Sequence, residues 1–207
     1  PYQVVNGKPQ VLPEFANYYH LRQADGKSFQ MDSYGQPDRL YRNEAGTFID
    51  VTTTSGISGI GHGLSATWWD YNEDGYPDLY VGNDFTDPDR LYRNNQDGTF
   101  TDVLADTMPY CSWSSMGSAS ADLNNDGLPD LFSADMAATS HFKQKVNMGD
   151  MSQHRWLMEN GWPRQMMRNM LYVNTGIHRF KETAYMSGLA QSNWTWAVKL
   201  ADFDADG

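Results

Sequence analysis

The chain predicts an all-β repeat protein, and three patterns point there together. Short apolar, β-favouring runs recur at a near-constant spacing, Gly, Asn and Asp turns separate them, and a glycine-bearing acidic loop closes each unit. The loop occurs twice in full, as Asp70-Tyr-Asn72-Glu-Asp74-Gly75-Tyr76-Pro-Asp78 and as Asp122-Leu-Asn124-Asn-Asp126-Gly127-Leu128-Pro-Asp130. A third copy opens at Asp202 and runs through Asp204 and Asp206 to Gly207.

The other elements of the unit repeat with the loop. Pro37-Asp-Arg-Leu40-Tyr41-Arg42-Asn43 recurs as Pro88-Asp-Arg-Leu91-Tyr92-Arg93-Asn94, and more loosely as Arg168-Asn-Met-Leu171-Tyr172-Val173-Asn174. Gly46-Thr-Phe48-Ile-Asp50-Val51 then returns as Gly98-Thr-Phe100-Thr-Asp102-Val103 and as His178-Arg-Phe180-Lys-Glu182-Thr183. A stretch of small residues and Trp follows each copy: 63–69, 113–121 and 194–201. Leu40 to Leu91 is 51 positions, Asp70 to Asp122 is 52, and Leu91 to Leu171 is 80, so the third unit carries an insertion of about 28 residues.

Each unit holds about four short strands, and one such sheet cannot bury both its faces alone. Radial stacking around an axis, as in a β-propeller, solves that problem. The repeated aromatics Tyr41, Tyr92 and Tyr172, and Phe48, Phe100 and Phe180, are expected to pack between sheets rather than to touch a ligand. The expected organisation is an N-terminal segment or the remainder of an earlier blade (1–36), repeat 1 (37–87), repeat 2 (88–136), the insertion (137–168) and repeat 3 (169–207). Three units do not close a ring of four to eight blades, so the chain reads as part of a longer protein.

The loops have the chemistry of a calcium site. Asp70, Asn72, Asp74 and Asp78, and likewise Asp122, Asn124, Asp126 and Asp130, place oxygens at loop positions 1, 3, 5 and 9. The carbonyls of Tyr76 and Leu128 supply position 7, and Gly at position 6 permits the turn. Asp202, Asp204 and Asp206 begin a third set. Ca²⁺ suits such a loop because it accepts many oxygen ligands in loose geometry. An EF-hand is excluded, since its position 12 needs Glu and here holds Val81 or Ser133. Leu79-Tyr80-Val81 and Leu131-Phe132 are expected to be strands that begin at the ninth-position Asp. The competing reading is a polar turn that needs no metal.

The D-x-N-x-D-G-x-P-D loop, with L-Y-R-N and G-T-F-x-D-V between copies, resembles the FG-GAP/VCBS repeat. Trp113-Ser-Ser-Met116-Gly117, Met167-Arg-Asn-Met170-Leu171 and Asn193-Trp-Thr-Trp196-Ala197 resemble bacterial relatives of the cartilage acidic protein family, which often carry an ASPIC/UnbV segment. The resemblance implies about three blades of a larger, seven-bladed propeller with calcium loops, in an extracellular, cell-surface or periplasmic protein. It brings no catalytic motif with it.

Net charge is −11, from 26 acidic against 15 basic residues, which argues against nucleic acid as a partner. The single Cys111 excludes an internal disulfide and reads as a small buried residue. No transmembrane run occurs in this stretch. The insertion is basic in an acidic chain, with Lys143, Lys145, Arg155, Arg164 and Arg168, and it is rich in Met and Trp. A short helix is expected over 152–160, and His141 and His154 read as ordinary surface or core residues. The insertion is either a binding face or a lid packed on its own repeats.

The leading functional expectation is a non-enzymatic, calcium-stabilised module that binds a protein or glycan. The alternatives are a propeller hydrolase or lyase acting on carbohydrate, and a structural subunit docked against neighbouring subunits. Asp84, Asp87, Asp135 and Glu159 are acids free of the loops, without a recognisable catalytic pairing.

Overall fold

The structure is a computed structural model that describes residues 2–16, 19–23, 29–33, 36–148, 151, 154–161 and 163–203. It is mostly β. The N-terminal region forms two hairpins, β1 (Tyr2–Val5) with β2 (Lys8–Val11) and β3 (Tyr19–Gln23) with β4 (Phe29–Ser33). The short β5 (Gln36–Pro37) pairs antiparallel with β8 (Ile60–Gly61), and between them lie the hairpin β6 (Tyr41–Glu44) and β7 (Thr47–Asp50) and the helix α1 (Thr52–Ser55).

Two four-stranded antiparallel sheets follow. The first is β9 (Gly63–Trp69), β10 (Asp78–Asn83), β11 (Arg90–Asn94) and β12 (Phe100–Asp102), paired in that order and followed by α2 (Leu104–Thr107). After β13 (Cys111–Ser112), the second is built from β14 (Ser115–Ala121), β15 (Asp130–Asp135), β17 (Met170–Asn174) and β18 (Phe180–Glu182). Between β15 and β17 come α3 (His141–Met148), α4 (Arg155–Asn160) and β16 (Gln165–Met166), and β16 pairs parallel with β13. Each sheet therefore begins with the small-residue stretch and acidic loop of one sequence unit and ends with the two motif strands of the next.

The strand order has a local cause. Alternation in β9 turns Ser65 and Thr67 to β14, where Thr67 Oγ1 meets Ser118 Oγ at 2.6 Å and Ser118 Oγ meets Ser65 Oγ at 3.1 Å. Small residues let the two first strands approach. The core between the sheets gathers Trp69, Tyr80, Leu91, Leu131, Met170, Tyr172 and Phe180. Tyr92 and Tyr172 are buried as expected, and so is Phe180. Tyr41 and Phe48 are instead 48% and 68% exposed. Their hairpin carries no inner strands among the described residues, so the packing expected of these two aromatics is not made.

A recurrent tie closes the outer edge of each unit. Arg39 pairs with Asp50 at 3.1 Å, Arg90 with Asp102 at 3.0 Å and Arg168 with Glu182 at 2.5 Å. The same acids accept the backbone N–H groups of Thr52, Leu104 and Ala184. This explains the repeated acid and the Arg shared by the first two copies; in the third copy that position is Met170, and Arg168, two residues earlier, makes the tie instead.

The insertion and the N-terminal hairpins converge on Trp113, which is fully buried. Tyr2, Tyr19, Leu21, Phe85, Met148, Met151, Met158 and Met167 pack around it. His154 is buried edge-on to Phe85 and Trp113, with ring centroids 4.9 and 5.9 Å apart. Burial lowers its pKa and keeps the imidazole neutral. Among the described residues of 2–33, the two hairpins pair only within themselves, and Tyr2, Tyr19 and Leu21 pack on Trp113. The expected helix is α4, while Ser152, at the start of the expected 152–160 stretch, lies outside the described residues, as do Tyr18 and Trp162. Helix α3 was not foreseen; its Phe142 and Val146 are 77% and 64% exposed.

Leu131 and Leu64 separate core from rim. Leu131→Ala is expected to cost about 2–5 kcal/mol of unfolding free energy, and Leu64→Ala, half exposed, less than about 1 kcal/mol, by urea titration.

Candidate functional site

The two complete acidic loops fold alike, contact for contact. In the first, Asp70 Oδ1 accepts the N–H of Asp74 at 3.1 Å and Asp70 Oδ2 that of Gly75 at 2.8 Å. Asn72 Oδ1 accepts the Asp74 N–H at 3.3 Å, and Asp74 Oδ1 that of Tyr76 at 2.9 Å. In the second, Asp122 takes the N–H groups of Asp126 and Gly127 at 3.2 and 2.8 Å. Asn124 takes that of Asp126 at 3.2 Å, and Asp126 that of Leu128 at 2.9 Å. Gly75 and Gly127 sit at φ of +85° and +88°, where a side chain would be strained. Glu73 and Asn125 also adopt positive φ, so the tight curl uses two left-handed residues where the sequence marked one.

The ninth-position acids do a different job. Asp78 and Asp130 are each the first residue of a strand and are fully buried. Asp78 accepts the N–H of Tyr71 at 3.2 Å on one oxygen and that of Asn94 at 2.7 Å on the other. Asp130 does the same with Leu123 at 3.1 Å and Asn174 at 2.8 Å. Burial pushes the Asp78 carboxyl up to about 6, against the lowering effect of those N–H groups, and Asp74 and Asp70 push it further up. Asp130 is raised for the same reasons, with Asp126 and Asp122 as its like-charged neighbours.

The Asn that ends L-Y-R-N was part of the repeat, but its role was not legible. Asn94 Nδ2 donates to the Pro77 carbonyl at 3.1 Å. Asn174 Nδ2 donates to the Pro129 carbonyl at 3.2 Å and to the Tyr71 carbonyl of the other loop at 2.7 Å. It thereby ties loop to loop across the two sheets, where Tyr71 also meets the Phe180 ring at 5.8 Å.

The donor chemistry of the loops fits a hard cation. Positions 1, 3, 5 and 9 of each loop hold three carboxylates and an amide oxygen, and each oxygen that accepts one N–H retains a second lone pair. The convergence is incomplete: among the described residues no three or more His, Cys, Asp and Glu side chains are grouped so that they could hold a metal ion. Of the third set, Asp202 is described, whereas Asp204 and Asp206 lie outside the described residues.

A second acidic group lines the opposite ends of the strands. Asp89 is completely buried and accepts from Tyr80 Oη at 2.5 Å, Ser115 Oγ at 2.8 Å and the Asn83 N–H at 2.9 Å. Asp135 accepts from the Ser112 hydroxyl and from the N–H groups of Trp113 and Ser114 at 3.1 and 2.9 Å. Burial raises the Asp89 carboxyl to about 7 and that of Asp135 to about 6. His62 Nδ1 lies 3.0 Å from Asp87. Gln165 of the insertion donates to the carbonyls of Phe85 and Asp87 at 3.0 and 3.3 Å. These acids act as anchors for backbone and hydroxyl groups. Asp87 and Asp135 were singled out in the sequence without partners; Asp89 was legible only as a repeated motif residue. No described helix is long and apolar enough to cross a membrane.

Asp89 sets a pH dependence. Its carboxyl binds a proton more tightly folded than unfolded, so between about pH 7 and pH 4 the native state carries the extra proton and stability rises as pH falls. Asp89→Asn is expected to keep the Asn83 contact, as Asn169 does with the Asp135 N–H at 2.8 Å, and to flatten that slope. Thermal unfolding of both proteins from pH 8 to pH 5 reads the difference.

Residues 70–133 match the FG-GAP-like repeat family. The match takes in both complete loops, strand β10 and the first four residues of β15. No curated protein matches the chain.

Proposed function

We propose that this chain is a calcium-stabilised part of a β-propeller that serves as a binding or scaffold module, not an enzyme. The observation that carries the reading is the pair of acidic loops with identical internal contacts, each wired into its sheet through a buried ninth-position Asp. The two side-by-side sheets with facing first strands are the arrangement that radial stacking requires, and the seven-bladed closure is what the repeat's resemblance implies. The FG-GAP-like match supports the propeller-like binding-module part of the reading.

In this reading Ca²⁺ is held by Asp70, Asn72, Asp74, Asp78 and the Tyr76 carbonyl, and in the second loop by Asp122, Asn124, Asp126, Asp130 and the Leu128 carbonyl. Asp202, Asp204 and Asp206 begin a third site. The ion would neutralise the loop carboxylates Asp70, Asp74, Asp122 and Asp126, whose charge helps to raise the pKa of the buried Asp78 and Asp130. Weak oxygen-only sites of this kind fill at the millimolar calcium found outside cells, which supports a surface or periplasmic location. The partner would be a protein, a glycan or a neighbouring subunit. The roles of Asp89 and Asp135 as hydrogen-bond anchors favour binding over catalysis.

Calcium content and thermal unfolding with and without chelator test the proposal. One ion per complete loop and a Tm rise of about 5–10 °C at calcium a hundredfold above Kd are expected. Asp126→Ala should remove about half of the calcium and most of the local gain, while leaving the Tm in chelator within about 2 °C of the parent protein. A chain that binds no calcium and keeps its Tm on chelation would sink the metal role.

A further inference from the structure

The cluster on Trp113 holds one atom that packing leaves without a role. His154 is 3% exposed, and its Nδ1 is buried with no hydrogen-bond partner among the described residues. A ring that only filled this space would do better without the nitrogen, because a buried polar atom left unpaired is costly. Burial keeps the imidazole neutral, and a neutral imidazole offers one nitrogen lone pair, the form that binds a metal ion.

Thioethers stand around this ring. Met151 lies three residues before His154, whose N–H donates to the Met151 carbonyl at 2.9 Å. Met158 lies four residues after it, within α4, so the three side chains have the spacing of one helix face. Both methionines pack on Trp113, as do Met148 from the end of α3 and Met167 from the end of the insertion. The imidazole is edge-on to the same indole, with centroids 5.9 Å apart. One buried imidazole and four sulfur-bearing side chains therefore share a single wall.

These donors select their ion. Thioether sulfur is soft and uncharged, and so the set suits a soft, singly charged metal. A doubly charged ion would find no anionic ligand among these five side chains to offset its burial, and Ca²⁺ or Mg²⁺ would find no oxygen. Indole is also the ring that best tolerates a neighbouring cation. Methionine alone is a common gap filler; the orphan nitrogen set at helical spacing between two of them is what packing does not account for.

We propose that Met151, His154 and Met158 form a binding site for a soft monovalent metal ion of the Cu⁺ class, with Met148 and Met167 as further sulfur donors and Trp113 as its wall. The site lies at the opposite end of β14 from the second acidic loop and owes nothing to calcium. It gives the insertion a ligand of its own, and an ion held there would fasten α4 to the segment that leads into β17.

The test uses the full chain with ¹³C-labelled methionine methyl groups, in calcium and in buffer free of halide and thiol. Ag⁺, a redox-inert probe with the same ligand preference, is titrated in, and Cu⁺ is added anaerobically against a chromogenic competitor. Saturation at one ion per chain is expected, with the Met151 and Met158 methyl signals shifted and that of Met186, which is 82% exposed, unmoved at that point. Zn²⁺ at the same concentration should shift none of them. Met151→Leu combined with Met158→Leu is a swap of nearly equal volume that cores tolerate. It should weaken binding by more than about a hundredfold, since even residues that only support a ligand are worth about 10–100-fold. The metal-free Tm checks that this variant is folded; if it is not, His154→Gln decides alone, and methyl shifts that persist in it overturn the proposal. Absence of saturable binding, binding that survives the double substitution, first occupancy at Met186, or binding abolished only by Cys111→Ser also overturns it.

Discussion

The buried ninth-position aspartate is the constraint on which each sheet depends. A loop of nine residues must end where a strand begins, and that strand must pair with the next one. Asp78 settles both with one side chain, because its two oxygens take an N–H from the loop and an N–H from the far end of the neighbouring strand. Asp130 repeats the arrangement. Placing an ionisable group at zero exposure is costly, and the raised pKa of Asp78 expresses that cost. Two backbone donors offset it in part. In the proposed calcium reading, a cation in the loop would offset the remainder, and the architecture and the metal chemistry would meet on one residue.

Around this anchor the repeat distributes its work. Arg–acid ties hold the outer edge, Asn94 and Asn174 fasten the loops to the strands, and Asp89 and Asn169 fix the opposite strand ends. Large aromatics then fill the space between sheets. The same side-chain types recur at each level because the geometry recurs. Where a unit departs, as with Asn169 for Asp89, the hydrogen bond to the strand end is kept and only the charge is lost.

Much of this was written in the sequence. The loop spacing, the strands that open at Asp78 and Asp130, the burial of Cys111, Tyr92, Tyr172 and Phe180, and the insertion ahead of β17 all follow from periodicity and turn chemistry. Those signals are local, and local rules read them. What stayed hidden depends on contacts far apart in the chain. Asn174 reaches Tyr71, Gln165 reaches Phe85, and Tyr2, Met158 and Trp113 share one cluster. The exposure of Tyr41 and Phe48 is of the same kind, since it depends on strands that their own motif does not contain. Helix α3 is short and buries none of its residues, so it left no amphipathic stripe to detect.

The placement of the insertion has a kinetic side. The connection from β10 to β11 is six residues, 84–89, but that from β15 to β17 spans 136–169, thirty-four residues. Closing the longer loop costs about 1.5 kcal/mol more chain entropy. The first sheet can therefore zip up from neighbours in sequence while the second waits for a distant strand, and the folding order expected from loop closure runs from the first sheet to the second. During that wait β15 exposes an unpaired edge rich in apolar side chains. The cluster that α4 and the methionines form on Trp113 shortens the effective loop once it is made, so a segment that adds nothing to either sheet can still act as the clamp that lets the second one close.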